Sequence, residues 1–420
     1  MGNPPFVGYK LQTQTQKEDL SPLYGSISNI DYVAGWYYKA SEFMKGSSIR
    51  AAFVSTNSIC QGEQVQAVWE ILKTKFGIHI DFAHPTFKWE SEASSVAAVH
   101  CIIVGFSSCP REKKPVIITG STTKEVDNIN FYLIAADDIF ISKRNKPICE
   151  SELMIYGSEP REGGFLILSE EERIQLINET PDIAPYIKRF VSSEDYINNR
   201  MRFCLWLTEC DASIMKKSKI VMHRLDECRK FREKSKQKQA HQSASTPYLF
   251  TSIRQPNTDY LLIPVVSSAN RRYIPIGYVS KEIVCSNACF TVSNASQYTF
   301  GIITSNVHMA WVRTVCGRLK SDYRYSNTIV YNNFPWPTPT EEQRVRIEAA
   351  AQGILDARAK YPDASFADLY DELTMPIDLR KAHQENDRAV MEAYGFSLKM
   401  TEQECVAELM KLYQQLITNE

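Results

Sequence analysis

The chain has 420 residues, a formal net charge of −1, 44% apolar residues and 23% charged residues. That length gives room for two or three domains with substantial cores, and the near-neutral balance excludes a global basic field, so any nucleic-acid surface must be local. No apolar run approaches the roughly 20 residues a membrane span needs, no signal-peptide pattern opens the chain, and eleven singly scattered cysteines read as reduced thiols of a cytoplasmic protein with no metal site.

The chain opens MGNPPFVGYKLQ. Consecutive prolines fit neither a helix interior nor a central strand, so Asn3-Pro4-Pro5-Phe6 is a stiff loop. Residues 30–45 place Ile30, Val33, Ala34, Tyr37, Tyr38 and Phe43 at helical spacing. IRAAFVST (49–56) reads as a buried strand, 61–77 as a second helix stopped by Gly77, and 77–84 and 97–106 as two further strands. Strands buried on both faces read as continuous apolar runs, as these do, so this part is α/β: a partial doubly wound sheet.

From about residue 110 the texture changes to short strand-like pieces (PVIIT, FYLIA, FLILS, YLLIPVV, RYIPIGYV, FTVSNA) among polar loops, an α+β pattern. Residues 216–239 read as a basic helix whose charges are a solvated face, and 239–245 as a mobile polar loop. His308, on a helix among apolar neighbours, reads as a core histidine. PWPTP (335–339) is a stiff linker, and the rest is helical.

Asn-Pro-Pro-aromatic has a specific chemical use. An exocyclic amine conjugated to a ring is a poor nucleophile because its lone pair is delocalised. The Asn3 carboxamide oxygen and the Pro4 carbonyl can accept its two N–H bonds, localise the lone pair and aim it at a methyl donor. The prolines hold these acceptors rigidly, which is preorganisation. Phe6 can stack on a base taken out of the duplex, which the chemistry requires because the amine is unreachable inside it.

The residues around this loop resemble the γ-type N6-adenine methyltransferases, and among them the MmeI-like (type IIL) restriction–modification enzymes. GNPPFVG, IDYVAGWYYKA, RAAFVSTNSICQGEQV and FAHPTFKWESEASSVAAVHCIIVGF resemble successive elements of their catalytic domain. The stretches from YLFTSIRQPNTDYLLIPVV through SNTIVYNNFPWP, and FADLYDELTMPIDLRKAHQENDRAV, resemble their target-recognition and C-terminal helical regions. The resemblance implies three parts: half of a methyltransferase domain (1–135), a target-recognition domain (136–338) and a helical C-terminal domain (339–420). It implies S-adenosylmethionine as cofactor, with Asn3 beside it, and Phe87 rather than Trp89 on the second face of the flipped adenine. The family's Gly-rich cofactor loop is absent: no G-x-G occurs in the chain. The expectation is therefore a C-terminal fragment with an incomplete cofactor pocket, inactive alone, and a catalytic loop poorly held unless an upstream polypeptide supplies the rest. The alternative is a free-standing DNA-binding specificity module.

Double-stranded DNA is the expected partner. GRLKSDYRYS (317–326) puts Arg318, Lys320, Asp322 and Arg324 at alternate positions, which in an extended segment share one face. Lys can donate to guanine O6 and N7, and Asp can accept from the cytosine amino group, so Lys320 and Asp322 suit one G·C pair; Arg324 suits a purine. The resemblance places Ala288 opposite the base read by Arg324. Arg254, Arg271 and Arg272 are loop arginines suited to phosphates.

Overall fold

The computed structural model describes residues 1–25, 29–89 and 99–419. The Trp89 side chain and residues 90–98 lie outside the described residues, so the end of the TFKW segment is not placed. Two compact units are present: residues 1–150, 306–339 and 391–420 form the first, and residues 151–305 with 340–390 form the second. The C-terminal helices thus divide between the units instead of packing as a body of their own.

The first unit is built on a five-stranded sheet. Its strands are β1 (Arg50–Thr56), β2 (His79–Trp89), β3 (Val99–Ser107), β4 (Val116–Thr119) and β5 (Thr122–Glu125), in the order β1-β3-β2-β4-β5. β3 runs antiparallel between β1 and β2, and β4 is parallel to β2. Gly2 extends the sheet beyond β1 through a parallel bridge to Phe53.

Three helices precede β2: α1 (Gln14–Tyr24), α2 (Ala34–Met44) and α3 (Ile71–Phe76). The sequence gives little apolar period to α1, yet Thr13 and Gln16 close a capping box at its start. α2 buries Ala34, Tyr37, Tyr38, Ser41 and Met44, a single stripe at helical spacing. Phe43, counted with that stripe from sequence, falls half a turn away and is 75% exposed. A π-helical turn, Val65–Glu70, runs into α3, which stops at Gly77 with φ 68°. Aromatic packing forms the core: Tyr37 stacks on Phe106 at 5.1 Å, and Trp69 stacks on Phe131 at 5.1 Å. FYLIA is not a strand. The Asn130 side-chain oxygen accepts from the Tyr132 and Ile134 amides (3.0 and 3.3 Å), and Leu133 turns at φ 62°, so the run is a buried tight loop.

The second unit carries two four-stranded sheets. One orders Gly277–Val279, Tyr260–Pro264, Cys289–Ser293 and Met154–Tyr156, all antiparallel. The other orders Val284–Cys285, Ile187–Val191, Arg202–Leu205 and Ile167–Leu168. The tract 239–245, expected as a mobile loop, is helical turn, with Ala240 and Ala244 buried. The reason is Arg232. Fully buried, it donates to the carbonyls of Pro160, Arg161, Ser243, Thr246 and Leu249 at 2.7–3.1 Å. One guanidinium thereby ties the end of this tract and the residues after it to the Pro160-Arg161 segment.

His308, on the helix Asn306–Val315, is fully buried and shares a 2.8 Å hydrogen bond with the Tyr325 hydroxyl. Burial pushes its pKa down to about 3. A depressed histidine pKa means the unfolded chain takes a proton that the fold refuses, so stability falls as pH drops below the unfolded value. Between pH 6.5 and 5 this one group should remove about 2 kcal/mol from the first unit. Urea unfolding at pH 7 and pH 5 measures it; equal midpoints would show that His308 takes a proton without unfolding.

Candidate catalytic loop and base-reading hairpin

The loop after Gly2 is held, contrary to the expectation that it would be loose. Gly2 donates to Ala52 O and accepts from Val54 N, each at 3.0 Å, and Tyr32 N donates to Val7 O at 2.9 Å. Asp31 ties the far end down. Its Oδ1 accepts from Tyr9 N (3.2 Å), its Oδ2 accepts from Ser58 Oγ (2.5 Å), and its own N–H donates to Gln64 Oε1 (3.1 Å). Asp31 is buried and was not singled out from sequence; nothing in IDYVAG distinguishes a hub carboxylate from a solvated one. Within the loop Pro4 is buried, Phe6 is half-buried, and Asn3 and Pro5 are exposed. Buried Pro4 is thus flanked by two exposed residues, and the Asn3 carboxamide is open to solvent.

Sheet register brings Phe87 to the same end as this loop. Gly2 is level with Phe53, which pairs with Val104. Two and three residues further along β1, Ser55 and Thr56 pair with Ile102 and Cys101, and Cys101 pairs with Phe87. A bulge between His84 and Phe87 inserts the extra residue that sets this register. Phe87 is half-buried and packs edge-on against His84 at 4.8 Å. Gly2 and β2 stand three inter-strand spacings apart, about 14 Å between backbones.

GRLKSDYRYS is a hairpin, not one extended segment. Gly317–Leu319 pairs with Asp322–Arg324, Leu319 facing Asp322 across a two-residue turn, Lys320-Ser321. The alternation of faces is therefore broken at the turn. Arg318 pairs with Tyr323 and lies over its ring at 4.0 Å, on the face opposite Asp322 and Arg324. It also donates to Ser321 O (3.1 Å) and Arg313 O (3.3 Å), so it closes the turn. Lys320 sits at the tip with φ 58°, a left-handed conformation that costs about 1 kcal/mol in a non-glycine residue. Lys320 and Arg324 are exposed and make no ion pair among the described residues; Asp322 is half-buried.

Below the tip, the Cys316 thiol donates to Arg324 O at 3.0 Å, and Gly62 N donates to Val315 O at 3.1 Å. A cavity of about 150 Å³ beside the hairpin is lined by Asn57, Thr86, Tyr132, Arg313 and Arg318, so the turn after β1, strand β2 and the hairpin all border it. No cluster that could hold a metal ion occurs among the described residues, and no helix there is long and apolar enough to cross a membrane.

The other sequence candidates lie in the second unit. Ala288 is exposed at a turn; its carbonyl accepts from Val265 N (3.0 Å) and from the Ser193 hydroxyl. Arg254 is exposed and anchored by its own N–H to Ser158 Oγ at 2.9 Å. Arg272 is exposed, and its Nε donates to the Tyr273 hydroxyl (3.1 Å), which donates to Asp387 (2.6 Å). Arg271 is half-buried beside it.

Three successive stretches match one family. Residues 1–119 match "MmeI, DNA-methyltransferase domain", 135–338 "MmeI, target recognition domain" and 339–419 "MmeI, C-terminal domain". The chain belongs to the MmeI family. The type IIL restriction–modification enzyme MmeI, solved in complex with DNA, superposes with a TM-score of 0.92 at 45% identity, over 99% of this chain and 57% of that one. DNA methyltransferase A of Bacillus subtilis (strain 168) is 37% identical over 418 residues, 99% of this chain and 47% of that protein. The chain thus spans about half the length of these relatives. Within this MmeI-family chain the first compact unit combines the Asn3–Phe6 loop, Phe87 and the 317–324 hairpin, although two different family segments encode them.

Two substitutions probe this geometry. Asp31→Ala leaves the Tyr9 amide and Ser58 hydroxyl without their acceptor and should cost about 2 kcal/mol, with faster amide hydrogen exchange in residues 7–11. Unchanged exchange there would remove Asp31 as the anchor. Lys320→Asn keeps the left-handed turn at lower strain and should raise the urea midpoint slightly, equivalent to about 0.5 kcal/mol; a lowered midpoint would mean the tip is not strained.

Proposed function

We propose that this chain is the base-holding and sequence-reading part of an adenine-N6 DNA methyltransferase. The observation that carries it is the register just described, which sets the Asn3–Phe6 loop and Phe87 at one end of the same sheet. In this reading Asn3 and the Pro4 carbonyl accept the two N–H bonds of adenine N6. That makes the nitrogen more tetrahedral and directs its lone pair away from the ring. Phe6 and Phe87 lean in from opposite sides and stack on the flipped base, replacing the stacking lost when it leaves the duplex. No general base is needed before attack; the proton leaves N6 after the new N–C bond forms.

S-adenosylmethionine, when bound, supplies the methyl group as an activated sulfonium. Fit is partial. Exposed Asn3 and buried Pro4 suit the side on which base and donor meet, but no G-x-G occurs among the 420 residues to cradle the rest. Asn3 is the chain's own contribution to that pocket, and a polypeptide carrying the Gly-rich loop would complete it. The alternative reading is a chain that recognises DNA without catalysis.

Recognition would come from Lys320 and Asp322 on one G·C pair and from Arg324 on a purine. Arg254, Arg271 and Arg272 would hold phosphates. Arg318 acts through the turn it closes.

Anisotropy titrations of duplex DNA over a salt series test the DNA reading: log affinity should fall linearly with log salt, and a flat response would contradict it. Calorimetric titration with S-adenosylmethionine then separates the two forms. Binding heat supports the methyltransferase reading and contradicts recognition alone.

A further inference from the structure

The base of the hairpin is seated on the catalytic segment by backbone rather than side chains. Gly62 donates its N–H to Val315 O at 3.1 Å. It has φ 57°, and a Cβ there would lie 3.1 Å from Gly317 Cα and 3.2 Å from Gly317 N. Only hydrogen fits without moving the hairpin.

Neighbouring groups would carry such a movement to the tip instead of absorbing it. The Cys316 thiol bonds to Arg324 O, Arg318 closes the Lys320-Ser321 turn, and Tyr325 is fixed by His308. On the other side, Gly62 follows the turn Asn57–Cys60 at the end of β1, the strand that also pairs with Gly2. We propose that Gly62 is a positioning residue for base reading: its backbone contact with Val315 and Gly317 fixes the offset between the base held by the Asn3–Phe6 loop and the base pairs met by Lys320, Asp322 and Arg324. The proposal rests on the DNA-reading function above.

A merely structural role, a glycine required by its positive φ, is separable. Gly77 has φ 68° and nothing within 4 Å of a Cβ. Gly62→Ala and Gly77→Ala therefore share backbone strain, but only the first presses on the hairpin. Gly62→Asn completes the set, because Asn tolerates the left-handed region better than Ala yet is bulkier. Strain ranks Ala above Asn, and displacement ranks Asn above Ala.

The full chain and the three variants are each offered a randomised duplex pool, and the bound fraction is sequenced. Affinities are then measured for the enriched duplex and for its single-base-pair variants. Gly77→Ala should discriminate as the wild type does. Gly62→Ala should lose about tenfold in discrimination, the scale of one mismatched pair, while binding non-selected duplex normally. Gly62→Asn should lose at least as much while melting higher than Gly62→Ala. Wild-type discrimination in both Gly62 variants, or discrimination that tracks melting temperature, overturns the proposal. Should the Gly62 variants not fold, hydrogen exchange on the wild type decides it: the Gly62 amide should be as protected as the amides of β1, and exchange at the unprotected rate overturns it. A wild type that enriches no sequence overturns the DNA-reading function itself, a result distinct from loss confined to the Gly62 variants.

Discussion

β1 bonds on both of its edges, and the arrangement of the site follows from that. On one edge it pairs with Gly2 and so sets the starting point of the Asn3–Phe6 loop. On the other it pairs with β3, which carries β2 and therefore Phe87. Its continuation, Asn57 to Gly62, reaches Ser58 on Asp31 and Gly62 on Val315. Loop, aromatic and hairpin are thus referenced to one strand. Backbone ladders hold relative positions more tightly than exposed side chains do, because each bond is short, directional and backed by its neighbours.

The site concentrates groups that would be unfavourable elsewhere. Lys320 holds a left-handed turn, and Asp31 is a buried carboxylate. Each is compensated locally: Arg318 closes the turn around Lys320, and Tyr9, Ser58 and Gln64 surround Asp31. Strain retained at a tip and offset at its base is the pattern expected where a surface is shaped for a partner.

Much of this was legible in the sequence. The apolar runs 49–56 and 77–84 and the described part of the third, from Val99, carry strands β1, β2 and β3, and Gly77 ends its helix, because buried strands and left-handed caps leave strong local marks. The Asn3–Phe6 loop was legible because consecutive prolines fit neither a helix interior nor a central strand. What stayed hidden depends on tertiary partners. FYLIA looks like a strand until Asn130 captures its amides, and 239–245 looks mobile until Arg232 bonds to the carbonyls of Ser243 and of Thr246 just beyond it. The alternation of Arg318, Lys320, Asp322 and Arg324 is real, but it spans a turn, so spacing alone put Arg318 on the wrong face. The interleaving of family segments in two compact units leaves no local signal at all.

In the proposed reading, one compact unit holds the Asn3–Phe6 loop and the 317–324 hairpin at a fixed offset. Exchanging the charges at the tip, Lys320→Asp with Asp322→Lys, tests it most directly when the sequences bound from a randomised duplex pool are compared with those of the wild type. The account predicts a change at a single G·C position, with every other selected base and its spacing unchanged. An unaltered selected sequence, or one whose spacing shifts throughout, would contradict it.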